Sequence, residues 1–377
     1  MHWEQLVQQP LFTLRRSGRF LVADLATPHR VLSTSARNGG QVDDVRHLVN
    51  HQSCEGAAHL DRHRLVAEGG AEAYHDVVCD ELGLPAAHTA VMGTAANMNY
   101  VAVVTESDEE LTVTAAVTAG VEGNATTAGE PAAWRETVSG TQKVPLYAGT
   151  INTMLLINLP LTSAALARVV VTMTEGKSAA LQRLAVPSKL HVDLATGTGT
   201  DQYCVAAPTA GPFTLTSASP HLKLGELVGL AARNATMEAL RWQNGLEASY
   251  TRGVFHALGR YGVKEATVFE DIAPYLSEAD LELLRRNSKA AFYEPLVGAA
   301  AHAMATVCDR VRYGTIPSAV AADAKVQQAA ALAANLAAQV HRWAEFRTTL
   351  RPYADDDVKS LVLRAVALGW SEKWRIV

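Results

Sequence analysis

Thr196-Gly-Thr-Gly-Thr-Asp201 follows Asp193 closely and immediately precedes the apolar run Tyr203–Ala207. Three hydroxyls, two glycines and a carboxylate therefore stand at the start of a predicted strand. Glycine allows left-handed backbone and close approach to a ligand, while threonine and aspartate supply donors and acceptors. A segment of similar texture, Met92-Gly-Thr-Ala-Ala-Asn97, precedes the run Tyr100–Thr105. These two loops fix the expectation of an α+β fold, with mixed sheets, packed helices and glycine/threonine-rich loops around one cleft.

A chain of 377 residues at 48% hydrophobic content suffices for a large core in one or two domains. The net charge of −5 carries no basic block, which argues against a nucleic-acid partner. Cys54, Cys79, Cys204 and Cys308 include no CxxC pair, so reduced thiols in a cytoplasmic enzyme are expected. The most apolar stretch, Met154–Met173, is broken by Asn158, Pro160 and Arg168 and reads as strand then helix, not as a membrane span.

Short β-like runs at Leu11–Leu14, Phe20–Asp24 and Val31–Thr34 open the chain, with Ser17-Gly18 and Pro28 as turns. Ala71–Leu82 reads as a helix stopped by Gly83 and Pro85. Strands follow near Thr89–Met92, Tyr100–Thr105 and Leu111–Val117, then a polar excursion over 125–147. Met154–Leu159 is a strand, Thr162 caps the helix carrying Ala164–Leu184, and Leu224–Leu246 is a long helix. The order helix, Gly-Thr loop, strand occurs around Gly93 and again around Gly197, a faint internal echo. From about Ser277 the composition changes, and alanine dominates Ala319–Val340, so the expected division is a first domain at 1–276 and an all-α extension at 277–377 for packing, oligomerisation or covering the cleft.

Seven stretches, in order, resemble the adenosylcobinamide amidohydrolases of corrinoid salvage. They are Leu32-Ser-Thr-Ser-Ala-Arg-Asn-Gly-Gly40 with Val49-Asn-His51, Val117-Thr-Ala-Gly-Val-Glu-Gly-Asn-Ala125 and Gly149-Thr-Ile-Asn152. Met173-Thr-Glu-Gly-Lys-Ser-Ala-Ala-Leu181, Thr196–Asp201 and Leu230-Ala-Ala-Arg-Asn234 complete the set. Two departures stand out: Gly176 where the family typically carries alanine, and Asn97 where an aspartate is expected. The resemblance implies hydrolysis of the amide joining aminopropanol to the corrin ring of adenosylcobinamide, giving adenosylcobyric acid for cobalamin salvage. It implies a corrinoid small molecule as partner and no protein-bound cofactor, because cobalt enters inside the substrate. Action on complete corrinoids such as cobalamin or pseudocobalamin, or corrinoid binding without turnover, is the alternative.

Amide hydrolysis needs an activated nucleophile, a proton for the leaving amine and donors for the oxyanion. The candidate machinery is Glu175, Lys177, Asp193 and Asp201, with a carboxylate activating water and Lys177 or loop N–H groups stabilising the intermediate. Glu175 and Lys177 are two apart and so cannot share a helix face. Substrate binding is assigned to Ser35, Asn38, Gly39, Gly40, His51, Asn124, Thr150, Asn152, Thr196, Gly197, Thr198, Gly199 and Thr200. The asparagines are suited to the carboxamides at a corrin edge. A second route makes Thr150 a nucleophile freed by self-cleavage after Gly149. A third uses the pairs His47/His51 and His59/His63, with Asp61, to hold zinc. Since 13 histidines produce such spacings by accident, no metal is expected. No membrane partner is expected, and a homo-oligomer is compatible with the chain.

Overall fold

The computed structural model describes residues 1–53, 58–132, 134–137, 140–143 and 149–373. The chain forms two compact units, Met1–Leu190 with Leu194–Leu246, and His191–Asp193 with the residues from Glu247 onward.

The first unit is α+β. Its N-terminal strands are β1 (Glu4–Gln9), β2 (Phe12–Ser17), β3 (Phe20–Ser33) and β4 (Gly40–Gln52), followed by helix α1 (Ala58–Leu82). The two short runs read on either side of Pro28 are one strand. Its register against β4 shifts between Asp24 and Val31, so proline sits at a bulge where it withdraws no ladder donor. The first half of β3 pairs with β2, and the second half with a much later strand. Helix α1 is interrupted at Gly70, whose φ is 75°. The expected Ala71–Leu82 helix is its second half.

Next come β5 (Thr89–Thr94), β6 (Ala102–Asp108), β7 (Leu111–Gly120), β8 (Ala125–Thr126), β9 (Trp134–Thr137), β10 (Gly140–Lys143) and β11 (Thr150–Ile157). Helix α2 (Ser163–Arg183), β12 (Gly197–Thr198), β13 (Gln202–Pro208) and α3 (Lys223–Asn244) complete the unit. Thr162 caps α2 as read, its Oγ1 accepting from Ala165 N at 3.1 Å. The main sheet runs β1-β2-β3-β13-β11-β7-β6, with β4 branching from β3 and β5 paired to β4. Here Gly93 ends a strand paired to β4, whereas Gly197 precedes a central one, so the echo in sequence is not an echo in topology.

Side chains alternate across these strands. Leu48, Met92, Ala116, Met154 and Cys204 fill one apolar cluster on the inner face. Val117, Ile151, Leu155 and Val205 face the other way, under α2 and α3. No backbone ladder joins β5 to β11. Side chains bridge that seam instead.

Gly176 explains itself here. A Cβ at this position would lie 2.7 Å from Gly229 O of α3, so glycine is what lets the two helices approach. Alanine would gain about 1 kcal/mol of helix propensity and lose about 1–3 kcal/mol by overpacking. Gly176→Ala is therefore expected to destabilise the unit by up to roughly 2 kcal/mol, read as a lower urea midpoint.

Every described element of the second unit after Glu247 is helical, the longest being Pro295–Arg312, Ser318–Leu336 and Val358–Glu372. Residues 247–276, which composition groups with the first domain, contribute Val254, Leu258 and Ile272 to the helical core around Phe292, Phe346 and Trp370. Gly369 lets two of these helices approach, since a Cβ on it would lie 2.5 Å from Ala333 O. Among the described residues, no helix is long and apolar enough to cross a membrane.

Candidate functional site

The inner face of the main sheet changes character at one end. Two residues beyond Leu48, Ala116, Met154 and Cys204 stand Asn50, Thr118, Asn152 and Gln202. Asn152, wholly buried, donates from Nδ2 to Asn50 Oδ1 and to Gly93 O, both at 2.9 Å. Asn50 Nδ2 donates to Thr118 Oγ1 at 2.8 Å. Gly93 N donates to Gln202 Oε1 at 2.9 Å. Both backbone groups of Gly93 are thus taken by side chains of β11 and β13, which closes the seam that no ladder spans.

Above this layer lies the loop that the sequence singles out. Antiparallel pairing of β12 with β8 pins it, and Ser178 Oγ donates to Thr196 O at 2.9 Å. Thr196 Oγ1 accepts from Ala128 N at 2.9 Å. Asp201 Oδ1 receives the Thr198 hydroxyl at 2.6 Å and the backbone N–H groups of Thr198 and Ile151, each at 3.1 Å. Its Oδ2 is paired with the Lys177 ammonium. Gly197 lies under this pair, since a Cβ there would be 2.5 Å from Asp201 Oδ2 and 2.8 Å from Lys177 Nζ. Gly199 has open space around it. Thr200 Oγ1 donates to Gly149 O at 2.8 Å and accepts from Asn124 Nδ2 at 3.3 Å. Thr150, buried, donates to Thr200 O at 2.6 Å.

Lys177, Asp201, Thr198, Thr200, Thr150, Asn152 and Asn124 are accordingly brought together. Two of the four catalytic candidates are not. Glu175 lies on the exposed side of α2, and no hydrogen bond ties it to Asp201 among the described residues. The two-residue offset that separates Glu175 from Lys177 explains this. Asp193 belongs to the helical unit: Arg312 binds it in two places and Tyr313 Oη donates to it at 2.9 Å. The hydrogen-bonded Arg312 guanidinium holds the Asp193 carboxyl below its ordinary range. In the same unit Arg260 makes a bidentate pair with Asp309 at 2.6 Å.

The loop Ser35–Gly40 starts beside β13, where Thr34 N donates to Tyr203 O at 3.0 Å. Its polar groups are spent on local ties. Ser35 Oγ accepts from Val91 N at 2.9 Å, and Asn38, at φ 55°, donates to Ala86 O and Thr89 O. A Cβ on Gly39 would meet Ser35 O at 2.2 Å, and Gly40 has φ 72°.

His47 and His51 lie on a strand, not a helix, and do not form a metal pair. His47 Nδ1 contacts Asp24 at 2.8 Å. His51 points away from Asn50, stacks on Phe20 at 4.7 Å and meets Tyr74 Oη at 2.5 Å. His59, His63 and Asp61 lie outside the residues whose side chains are described. Among the described residues no group of three His, Cys, Asp or Glu is placed to hold a metal. Burial pushes the His51 imidazole down to about 3. Unfolding restores an ordinary pKa near 6.5, so the unfolded chain binds the proton first and stability falls as pH drops from about 6.5 toward 3. His51→Gln is expected to flatten that part of the pH–stability curve, measured by urea unfolding at successive pH values.

Sequence reasoning missed Asn50, Gln52, Thr118, Gln202 and Gln243. The signal for Asn50 was present: an amide inside Leu48-Val49-Asn50, where period-2 alternation places it on the core face.

The comparisons fall on this unit. The family profile CbiZ, adenosylcobinamide amidohydrolase, matches residues 5–248, from β1 to just past α3. An uncharacterized protein of Methanocaldococcus jannaschii, MJ1613, is 35% identical over 176 residues, covering 44% of this chain and 68% of its own. With the match spanning the main sheet and the Lys177–Asp201 cluster, the chain belongs to the adenosylcobinamide amidohydrolase family.

Proposed function

We propose that this chain hydrolyses the amide linking aminopropanol to the corrin ring of adenosylcobinamide, releasing adenosylcobyric acid for cobalamin salvage. The observation that carries the reading is the line Thr198–Asp201–Lys177. A hydroxyl is aimed at a carboxylate 2.6 Å away, and that carboxylate is fixed from its other side by an ammonium. This is the arrangement of a nucleophile, its base and an orienting group. Two backbone N–H groups hold the carboxylate in register.

Thr198 Oγ attacks the amide carbonyl carbon as its proton passes to Asp201. The C–N bond then breaks, and the proton leaves with aminopropanol. The corrin acyl group, now an ester on Thr198, is hydrolysed by water to the carboxylate, and the hydroxyl is restored. Lys177 uses one of its three N–H donors on Asp201, and its others have no acceptor among the described residues. They are suited to the developing oxyanion. Thr150 and Asn152 serve this reading as supports rather than contacts, because both are buried and hydrogen-bonded.

The test is mass spectrometry of products from adenosylcobinamide, with cobalamin and pseudocobalamin alongside. Aminopropanol and adenosylcobyric acid from the first substrate support the reading. Release only from complete corrinoids moves the substrate, and tight corrinoid binding with no product makes the protein a carrier.

A further inference from the structure

The segment Gly93–Met98 is held by three glutamines from three different elements. Gln202, at the start of β13, accepts from Gly93 N at 2.9 Å. Gln243, near the end of α3, accepts from Asn97 N at 2.9 Å. Gln52, the last residue of β4, accepts from Met98 N at 2.8 Å. The partner orients each amide, because a backbone N–H only donates and each glutamine must therefore present its oxygen to the loop. Each NH₂ group is turned the other way. None of the three makes a hydrogen bond among the described residues, and all three side chains are partly exposed.

Three anchored amides thus present their NH₂ donors at the end of the sheet where Gln202 directly follows Asp201. From this we infer that Gln52, Gln202 and Gln243 are specificity-determining residues that bind the carbonyl oxygens of a ligand's peripheral carboxamides. The inference rests on the corrinoid reading above and names which part of that ligand the rim recognises. A neutral donor suits an amide carbonyl, and the backbone anchor removes the rotamer freedom that an unanchored glutamine would lose on binding.

Gln→Glu at each position keeps the oxygen that accepts from the loop and deletes the donors. Each single variant is expected to raise KM for adenosylcobinamide about fivefold, the order for one neutral hydrogen bond. Its kcat should stay within about twofold, because the lost contact is uniform binding. Thermal midpoints should match the wild type. A second measurement uses the unaltered protein and a cobinamide whose ring-edge amides are replaced by methyl esters, titrated by corrin absorbance. Esters retain the carbonyl acceptor and lose the N–H, so donation from the glutamines predicts retained binding.

Unchanged KM in all three folded Glu variants overturns the inference, as does a more than roughly tenfold loss of binding for the ester. If the wild type turns over adenosylcobinamide while either result is obtained, only the glutamine assignment fails. If the wild type neither binds nor cleaves any corrinoid, the functional reading and this inference fall together.

Discussion

Thr198→Ala and Lys177→Met are each expected to lower kcat for adenosylcobinamide by about 10²–10⁴, the range for losing a positioned nucleophile, base partner or oxyanion donor. Thr198→Ser should keep a measurable part of the activity, since the hydroxyl and its Asp201 partner survive. The double variant should be little worse than either single one, because residues acting as a unit are not additive. Steady-state kinetics would establish this, with corrinoid binding as the control for an intact site. A Thr198→Ala enzyme retaining wild-type kcat would remove the nucleophile, and full activity in Lys177→Met would reduce the ion pair to scaffolding. Both variants should fold. Thr198→Ala loses one hydrogen bond to a carboxylate that keeps two backbone donors and its cation, and one long bond of 3.4 Å from Thr200 N.

The largest effect on stability is expected at Asn152. Asn152→Leu leaves the buried Asn50 Oδ1 and the part-buried Gly93 O without their donor. At about 1–3 kcal/mol for each unsatisfied group, the loss is roughly 2–6 kcal/mol, a large share of a stability of about 5–15 kcal/mol. Urea unfolding of the purified variant measures it, and poor soluble yield is the corresponding outcome in cells. Near-native stability would mean that the seam between β5 and β11 closes without its amides.

Much of the first unit was legible because its signals are local. Glycine and threonine at 196–201, the Thr162 cap and the apolar runs of β7, β11 and β13 announce themselves within a few residues. The cluster's ion pair was legible as residue types: Lys177 and Asp201 lie in two separate family-like stretches, and the fold brings them into contact. Glu175 and Asp193 stand apart from that cluster for different reasons. Glu175 shares a motif with Lys177 but not a helix face. Asp193 sits beside the glycine loop in sequence, yet Arg312 and Tyr313, remote in the chain, claim its carboxylate. The glutamine amides could not be found in advance. A single Gln at the end of a strand or helix has no spacing to betray it, and only the fold gathers Gln52, Gln202 and Gln243 on one loop. The burial of Asn152 was not legible, because it depends on Asn50 and Gly93, which lie far from it in the chain.

The bent third strand carries a consequence for how the protein is made. Its second half, ending at Ser33, pairs with the strand around Cys204. A ribosome therefore releases the first edge long before its mate exists. Until residue 208 has emerged, those N–H and C=O groups stay unpaired beside apolar side chains, a template for contact with other nascent copies. Non-local pairing of this kind also slows the search for the native state. Chaperone dependence during synthesis, and strong aggregation of chains cut short before that point, are what this topology imposes.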